Sequence, residues 1–89
     1  MTTMFVRHTV SNYGAWRKIY DDFHVVQKNK GVTAQAVYQA ADNPNDVTVT
    51  HEFADLKTAR AFAGSEELKK AMQGAGLVGA PTIWFTEKA

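Results

Sequence analysis

Two histidines occupy positions where the alternation of a β-strand predicts core residues. The two alternating rows are Met4, Val6, His8, Val10 and Val47, Val49, His51, Phe53. A small domain that points two titratable rings inward either locks them with hydrogen bonds or keeps them for chemistry. An imidazole that titrates near neutral pH is a suitable general base for a phenol or an enolisable ketone. We therefore predict that His8 and His51 are catalytic, with hydrogen-bonded structural histidines as the alternative.

Aromatic and apolar side chains with interior spacing could form walls around such a base. Walls of this kind, with a few polar groups, suit a flat conjugated ligand. The predicted substrate-binding residues are Trp16, Tyr20, Phe23, Tyr38, Phe53, Phe62, Met72 and Phe85. Tyr13 or Tyr20 could hold a substrate oxygen, whereas His24 is predicted to face solvent. The same spacing is typical of a packed core, so the alternative is that these side chains only fill the interior.

Other common chemistries lack their residues in this chain. There is no cysteine, which excludes disulfides, thiolate nucleophiles and zinc ribbons. Two histidines without an inward carboxylate are a poor ligand set, so we expect no metal. Gly74, Gly76 and Gly79 do not follow a strand into a helix, as a phosphate-binding loop would, and Ser65 lacks the glycines of a nucleophile elbow. We accordingly expect a site that works without a cofactor.

The composition is that of a globular protein. The chain has 89 residues, is 45% hydrophobic and 21% charged, and carries a formal net charge of +1. We expect residues 1–89 to form a single domain. The basic residues are scattered among acids, so no nucleic-acid partner is expected. No signal peptide or transmembrane run is visible, which favours a cytoplasmic protein without a membrane partner.

Periodicity and capping residues predict the elements that must position these side chains. Strands are predicted at Met4–Val10, Val32–Ala41, Val47–Phe53 and Thr82–Glu87. The first helix runs from about Tyr13 to Asn29, capped by Ser11 or Asn12. The second begins after Asp55 and is broken at Gly64–Ser65, where a new cap is followed by two glutamates. The turn-forming residues Asp42–Asp46 predict a hairpin between the second and third strands.

This β-α-β-β-α-β order predicts an α+β, ferredoxin-like fold with a four-stranded antiparallel sheet. Short, right-handed connections place the first strand beside the third. His8 and His51 should then share one site that faces the helices, with Trp16 and Tyr20 above them. On the second strand, the more apolar row, which contains Tyr38, is predicted to face the helices as well.

Two helices can cover only one face of such a sheet, and the other face is predicted to be weakly charged. Its only charged residues are Arg7 and Glu52, which could pair across adjacent strands. The predicted open-face row of the second strand is Thr33, Gln35, Val37 and Gln39. An uncovered sheet is a liability in so short a chain. We therefore predict a homodimer formed through the sheet faces, with an exposed sheet as the alternative.

Several segments resemble the dimeric α+β barrel superfamily, particularly small proteins related to the antibiotic biosynthesis monooxygenases. The similar segments are His8–Val10, Asn12–Arg17, Asp42–Val47, His51–Leu56, Ala59–Met72 and Ala75–Pro81. The resemblance implies two ferredoxin-like subunits that pair into a dimeric α+β barrel, with a ligand between the sheet and the helices of one subunit. Relatives of this kind include cofactor-independent oxygenases, haem-degrading enzymes and polyketide cyclases.

Two functional hypotheses follow from the residues and the resemblance together. The first is a cofactor-independent monooxygenase or cyclase that acts on a small aromatic or polyketide-like metabolite. The second is a non-catalytic dimer that binds a small molecule or has a structural role. Haem degradation is disfavoured, because the first strand lacks the asparagine that the haem-degrading relatives imply.

Overall fold

The chain folds into one antiparallel sheet with helices over one of its faces. A computed structural model describes residues 1–89. Its elements, in chain order, are β1 (Thr2–Val10), α1 (Tyr13–Asp22), α2 (His24–Asn29), β2 (Ala34–Ala40), β3 (Asn43–Phe53), α3 (Leu56–Ala63), α4 (Glu66–Gly74) and β4 (Leu77–Glu87). The strand order β2-β3-β1-β4 confirms the predicted ferredoxin-like α+β fold. None of the helices has the length and apolar character needed to span a membrane.

The register between the two central strands places both histidines under the helices. Met4 pairs with His51 and His8 pairs with Val47. Paired residues of an antiparallel ladder share a face of the sheet, and Met4 and Val47 are fully buried. His8 and His51 retain only 7% and 4% of their accessible surface. The prediction that both rings face the helices is therefore confirmed.

Side-chain caps begin three of the helices at the residues that the sequence indicates. The Asn12 side chain accepts the Ala15 N–H at 2.9 Å, and Asp55 accepts the Thr58 N–H at 2.8 Å. Ser65 accepts the Leu68 N–H at 3.3 Å, which starts α4 after the predicted break. Each cap satisfies a backbone donor that has no partner within its helix.

The first helical segment is not continuous, which corrects the prediction of one helix over Tyr13–Asn29. It is divided at Phe23, whose N–H is 3.1 Å from the carbonyl oxygens of both Ile19 and Tyr20. This shared bond tightens the last turn of α1 before α2 begins. The break has no glycine or proline to signal it. After the break, Gln27 lies in the interior with 2% of its surface exposed.

The hairpin between β2 and β3 is tighter than the predicted five-residue turn. Ala40 pairs with Asn43, so the turn consists of two residues. The next pair is Gln39 with Val47, which leaves Pro44–Asp46 as a bulge without partners on β2. Within the bulge, Asn43 accepts the Asn45 N–H at 3.0 Å and Asn45 accepts the Tyr13 N–H at 3.1 Å. The turn-forming residues therefore build a bulge that also anchors the start of α1.

The two faces of β2 are the reverse of the prediction. Gln35 pairs with His51 and Val37 pairs with Val49, so Gln35 and Val37 face the helices. Tyr38 lies on the open face and is 58% exposed. The prediction followed the more apolar row of β2. The pairing with β3 decides the register instead, because β3 has a strongly buried row.

The open face of the sheet carries an aromatic pair. Phe5 and Trp84 lie on β1 and β4, with ring centroids 5.2 Å apart and planes 6° from parallel.

The expected pairing of Arg7 with Glu52 was wrong, because Arg7 forms its ion pair with Asp46 at 2.7 Å. Asp46 lies in the bulge of β3, two residues of register from Arg7, whereas Glu52 is opposite Thr3 at the far end of β1.

The Ser65 cap gives a test of how α4 is held. We expect Ser65→Ala to lower the free energy of unfolding by about 1 kcal/mol, because the Leu68 N–H loses its acceptor. Urea denaturation monitored by circular dichroism measures this change. Ser11→Ala is the matched control, since the Ser11 hydroxyl makes none of the side-chain hydrogen bonds described above. Equal stabilities of the two variants would show that the Ser65 hydroxyl caps nothing.

Candidate functional site

A cavity of about 50 Å³ lies between the sheet and the helices. Its floor is formed by β1 and β3, including His8 and His51, and its roof by α1 and α4. It lies where two core clusters meet, one centred on Phe53 and Phe62 and the other on Trp16. Thirteen residues line it, eleven of them hydrophobic, so the two histidines are its principal polar groups.

His8 is an imidazole without a hydrogen-bond partner. Both of its ring nitrogens are buried and neither contacts a donor or acceptor of the chain. Its nearest aromatic neighbour is Trp16, with ring centroids 5.4 Å apart. Burial lowers the pKa of His8 below its ordinary value of 6.5, and the negative charge of Asp46 opposes this effect. His8 is therefore neutral at pH 7 and free to accept a proton.

His51 has a different environment at the same cavity. The Gln27 amide Nε2 lies 3.3 Å from His51 Nε2, and an amide nitrogen can only donate in such a contact. The ring proton then resides on Nδ1, which has no partner in the chain. Burial lowers the pKa of His51 to about 4. The ring is neutral at pH 7, and it is a much weaker base than an ordinary histidine.

The two histidines lie at opposite ends of the cavity. They are separated by four residues of register along the β1–β3 ladder, which corresponds to about 13 Å. Trp16 and Tyr20 bridge this gap, since the His8–Trp16, Trp16–Tyr20 and Tyr20–His51 centroid distances are 5.4, 5.0 and 6.2 Å. The rings thus line one cavity, as the sequence predicts, but they do not meet as a pair.

A polar cluster around His51 was missed by the sequence analysis. The Tyr20 hydroxyl donates to Gln35 Oε1, and burial raises the pKa of Tyr20 above its ordinary value of 10.0. Gln27 Oε1 is buried without a partner. After the helix break at Phe23, Gln27 lies in the interior, and the reversed face of β2 places the exposed Gln35 on the side of the helices. Neither feature has a signal in the hydrophobic pattern.

The predicted substrate-binding residues are divided among several locations. Trp16, Tyr20, Phe23 and Met72 line the cavity. Phe53 and Phe62 are buried in the adjacent core cluster, against which Phe85 is half-buried. Phe62 nevertheless packs on the His51 ring, with centroids 5.3 Å apart. Tyr38, on the opposite face of the sheet, cannot take part in this site.

Two further predictions concern residues near the site. Tyr13 is half-buried and its ring lies 5.8 Å from that of Trp16, so it supports the wall of the cavity from outside. His24 is exposed on α2, as predicted. The chain contains no group of three or more His, Asp or Glu side chains close enough to share a metal ion.

Comparison with known proteins identifies the fold. A putative antibiotic biosynthesis monooxygenase from Bordetella bronchiseptica superposes with a TM-score of 0.86 over 99% of this chain and 96% of its own, at 10% identity. SnoaB, a cofactor-independent oxygenase from Streptomyces nogalater, gives a TM-score of 0.82 over 99% of this chain and 92% of its own, at 11% identity. NE2512, a protein of unknown function from Nitrosomonas europaea, gives 0.79 over 98% of this chain and 87% of its own, at 21% identity.

The chain thus has the fold of the antibiotic biosynthesis monooxygenases, which confirms the resemblance inferred from its sequence. No protein-family model matches the chain, and no curated protein matches it either. At these identities the likeness establishes the fold, and the argument for function must come from the cavity itself.

The lowered pKa of His51 makes the stability of the fold sensitive to acid. Between the unfolded pKa of 6.5 and the folded value of about 4, the unfolded chain binds the proton and the folded chain does not. The stabilisation due to the neutral His51 is therefore fully present above pH 6.5, and it decreases as the pH falls through this window. We expect the free energy of unfolding to decrease by about 2 kcal/mol between pH 7 and pH 5, because His51 is protonated in the unfolded chain.

Urea denaturation at both pH values measures this loss in the wild type and in His51→Gln, in which the titrating group is absent. We expect the difference between pH 7 and pH 5 to shrink in His51→Gln. It should stay unchanged in His24→Gln, which removes an exposed histidine. Identical pH dependence in all three proteins would contradict a buried, neutral His51.

Proposed function

We propose that this protein is a cofactor-independent monooxygenase that acts on a small aromatic phenol or enolisable ketone. The observation that carries the proposal is the state of His8. It is a buried, neutral imidazole with two unpartnered nitrogens at an aromatic cavity. An unpartnered ring nitrogen can accept a proton from a ligand, whereas the nitrogens of a hydrogen-bonded core histidine are already occupied. SnoaB, whose fold is similar, is a cofactor-independent oxygenase, which supports the same class of reaction here.

The proposed reaction begins with proton transfer to His8. The substrate loses a proton from an acidic C–H or O–H group and becomes an electron-rich anion. This anion reduces O₂, a C–O bond forms to give a peroxide anion, and the His8 imidazolium returns its proton to this anion to give a hydroperoxide. Loss of water from the hydroperoxide gives a carbonyl, so that R₂CH₂ and O₂ become R₂C=O and H₂O. The substrate carbon supplies all four electrons, and no further reductant is needed.

His51 is proposed to orient the substrate at the other end of the cavity. With a pKa of about 4, it is a poor match for base catalysis at neutral pH. Its Nδ1 can instead form a hydrogen bond with a substrate oxygen, as the donor in this tautomer or as the acceptor when the ring proton lies on Nε2. Trp16 and Tyr20, stacked 5.0 Å apart, would hold the aromatic body of the substrate between the two histidines.

The volume of the cavity favours a second candidate, a non-catalytic binding protein or structural dimer. An engineered cavity of about 150 Å³ holds a benzene ring, and the cavity here is about 50 Å³. An aromatic substrate therefore requires Leu68 and Met72 of α4 to move outward. If α4 does not open, the cavity holds only water, and the aromatic side chains serve as a core.

Oxygen consumption distinguishes these candidates. With anthrone, an aromatic ketone with an acidic CH₂ group, we expect the wild type to consume O₂ and His8→Ala to lose at least about 100-fold in rate, because the general base is absent. The rate should increase with pH through the lowered pKa of His8 and level off near neutral pH. The exposed-histidine variant His24→Ala is the control and should match the wild type. An active His8→Ala would exclude His8 as the base.

We also propose that the protein is a homodimer formed through the open faces of two sheets, as a dimeric α+β barrel. The stacked Phe5 and Trp84 rings lie on this face, where Trp84 is 39% and Tyr38 is 58% exposed. Its residues include several threonines and alanines, and Arg7 is already neutralised by Asp46. An aromatic, weakly charged face of this kind is typical of an interface.

Thr50 lies near the centre of this face, opposite Phe5 on β1 and Ala36 on β2. We expect Thr50→Lys to shift the protein towards monomers, because the dimer would bury an unpaired ammonium group. Light scattering at micromolar concentrations measures the molar mass. Gln73→Lys adds the same charge at an exposed site on α4 and should leave the mass unchanged. A wild type that is monomeric under these conditions would contradict the proposal.

A further inference from the structure

A second depression lies on the outer surface, beside the His51 end of the cavity. It is a groove of about 290 Å³ between α2 and the edge strand β2. Its lining is mostly polar and includes His24, Gln27, Lys28, Thr33 and Gln35, without any acidic residue. The Lys28 ammonium forms none of the three ion pairs of the chain. The groove therefore offers an uncompensated positive charge.

Two side chains connect this groove to the cavity. Gln27 lines the groove and contacts His51 Nε2 at 3.3 Å. Gln35 also lines the groove and accepts the hydrogen bond of the Tyr20 hydroxyl. His51 and Tyr20 both line the cavity. A ligand that displaces or rotates the two glutamine side chains would extend continuously from the cavity into the groove.

The Gln27 side chain indicates that the groove binds a polar group. It is 2% exposed, and its Oε1 is buried without a partner, which is costly unless a ligand or water satisfies it. A half-turn of the amide would keep the contact with His51, which would then donate from Nε2 to Oε1. The amide NH₂ group would then point towards the groove as a donor. An anion in the groove favours this arrangement.

We propose that the groove is a second subsite, which binds the carboxylate end of an elongated aromatic ligand through Lys28 and the Gln27 amide. This inference rests on the function proposed above, because it assigns the aromatic ring of the same ligand to the cavity. It narrows the substrate class to phenols or ring ketones that carry an acidic side chain. It also couples the two sites, since the bound carboxylate moves the His51 proton from Nδ1 to Nε2 and makes Nδ1 an acceptor in the cavity.

A pair of probes that differ only in the carboxylate tests the subsite. These probes are para-ethylphenol and para-hydroxyphenylpropionate, and their dissociation constants are measured by calorimetric titration. We expect Lys28→Gln to raise the dissociation constant of para-hydroxyphenylpropionate by about threefold to fivefold, the effect of losing an exposed ion pair. The dissociation constant of para-ethylphenol should not change. Lys18→Gln removes the same charge from an exposed position on α1 and should affect neither probe.

The His51 tautomer provides a second measurement that does not depend on a variant. Nitrogen-15 spectra of the ring should show the proton move to Nε2 when para-hydroxyphenylpropionate binds and stay on Nδ1 with para-ethylphenol. Equal effects of Lys28→Gln and Lys18→Gln, or a proton that stays on Nδ1 with both probes, would overturn the subsite alone. Failure of both probes to bind would overturn the aromatic cavity site as well, and with it the proposed function.

Discussion

The pairing of β1 with β3 is the constraint on which the rest of the structure depends. Met4 opposite His51 and His8 opposite Val47 place both imidazoles under the helices. A slip of one residue in either strand would transfer the histidine of that strand to the open face, together with the apolar residues of its row. The apolar neighbours of the histidines thus hold the register, and the histidines are carried inward by it. The site is a consequence of core packing on the two strands rather than of any local preference of histidine.

Four residues of register separate the two imidazoles, and this separation gives them different chemistry. His8 retains some electrostatic support for its charged form from Asp46, which Arg7 holds in the bulge of β3. His51 has no acidic group near it, and burial alone brings its pKa to about 4. Burial lowers the pKa of both histidines of the cavity, and only His8 has a nearby carboxylate that opposes this effect. Environments that separate the pKa values of two groups are the usual basis for assigning them different roles.

The sequence predicts the parts of this fold that local chemistry determines. The caps at Asn12, Asp55 and Ser65 and the inward rows of β1 and β3 each rest on a strong signal, because a capping oxygen and a buried alternating row have few alternative placements. Much of the cavity lining on α1 and α4 follows from the helical stripe in the same way.

The parts that the sequence does not predict depend on tertiary contacts. The face of β2 is decided by β3, so that Tyr38 lies outside although its row is the more apolar one. The break at Phe23 is a tightened turn without glycine or proline. Together these two features bury Gln27 and turn the exposed Gln35 towards the helices, and hydrophobic periodicity has no signal for either placement. The polar half of the site is therefore what pattern analysis misses.

The unpartnered atoms at the cavity weigh against a purely structural role for these residues. Four buried polar atoms, on His8, Gln27 and His51, have no partner in the chain. Each costs roughly 1–3 kcal/mol if it remains unsatisfied, a large fraction of the roughly 5–15 kcal/mol that stabilises a typical domain. Leucine at these positions would avoid this cost. A core under selection for stability alone would thus lose these side chains, whereas a site that exchanges water for a polar aromatic ligand requires them.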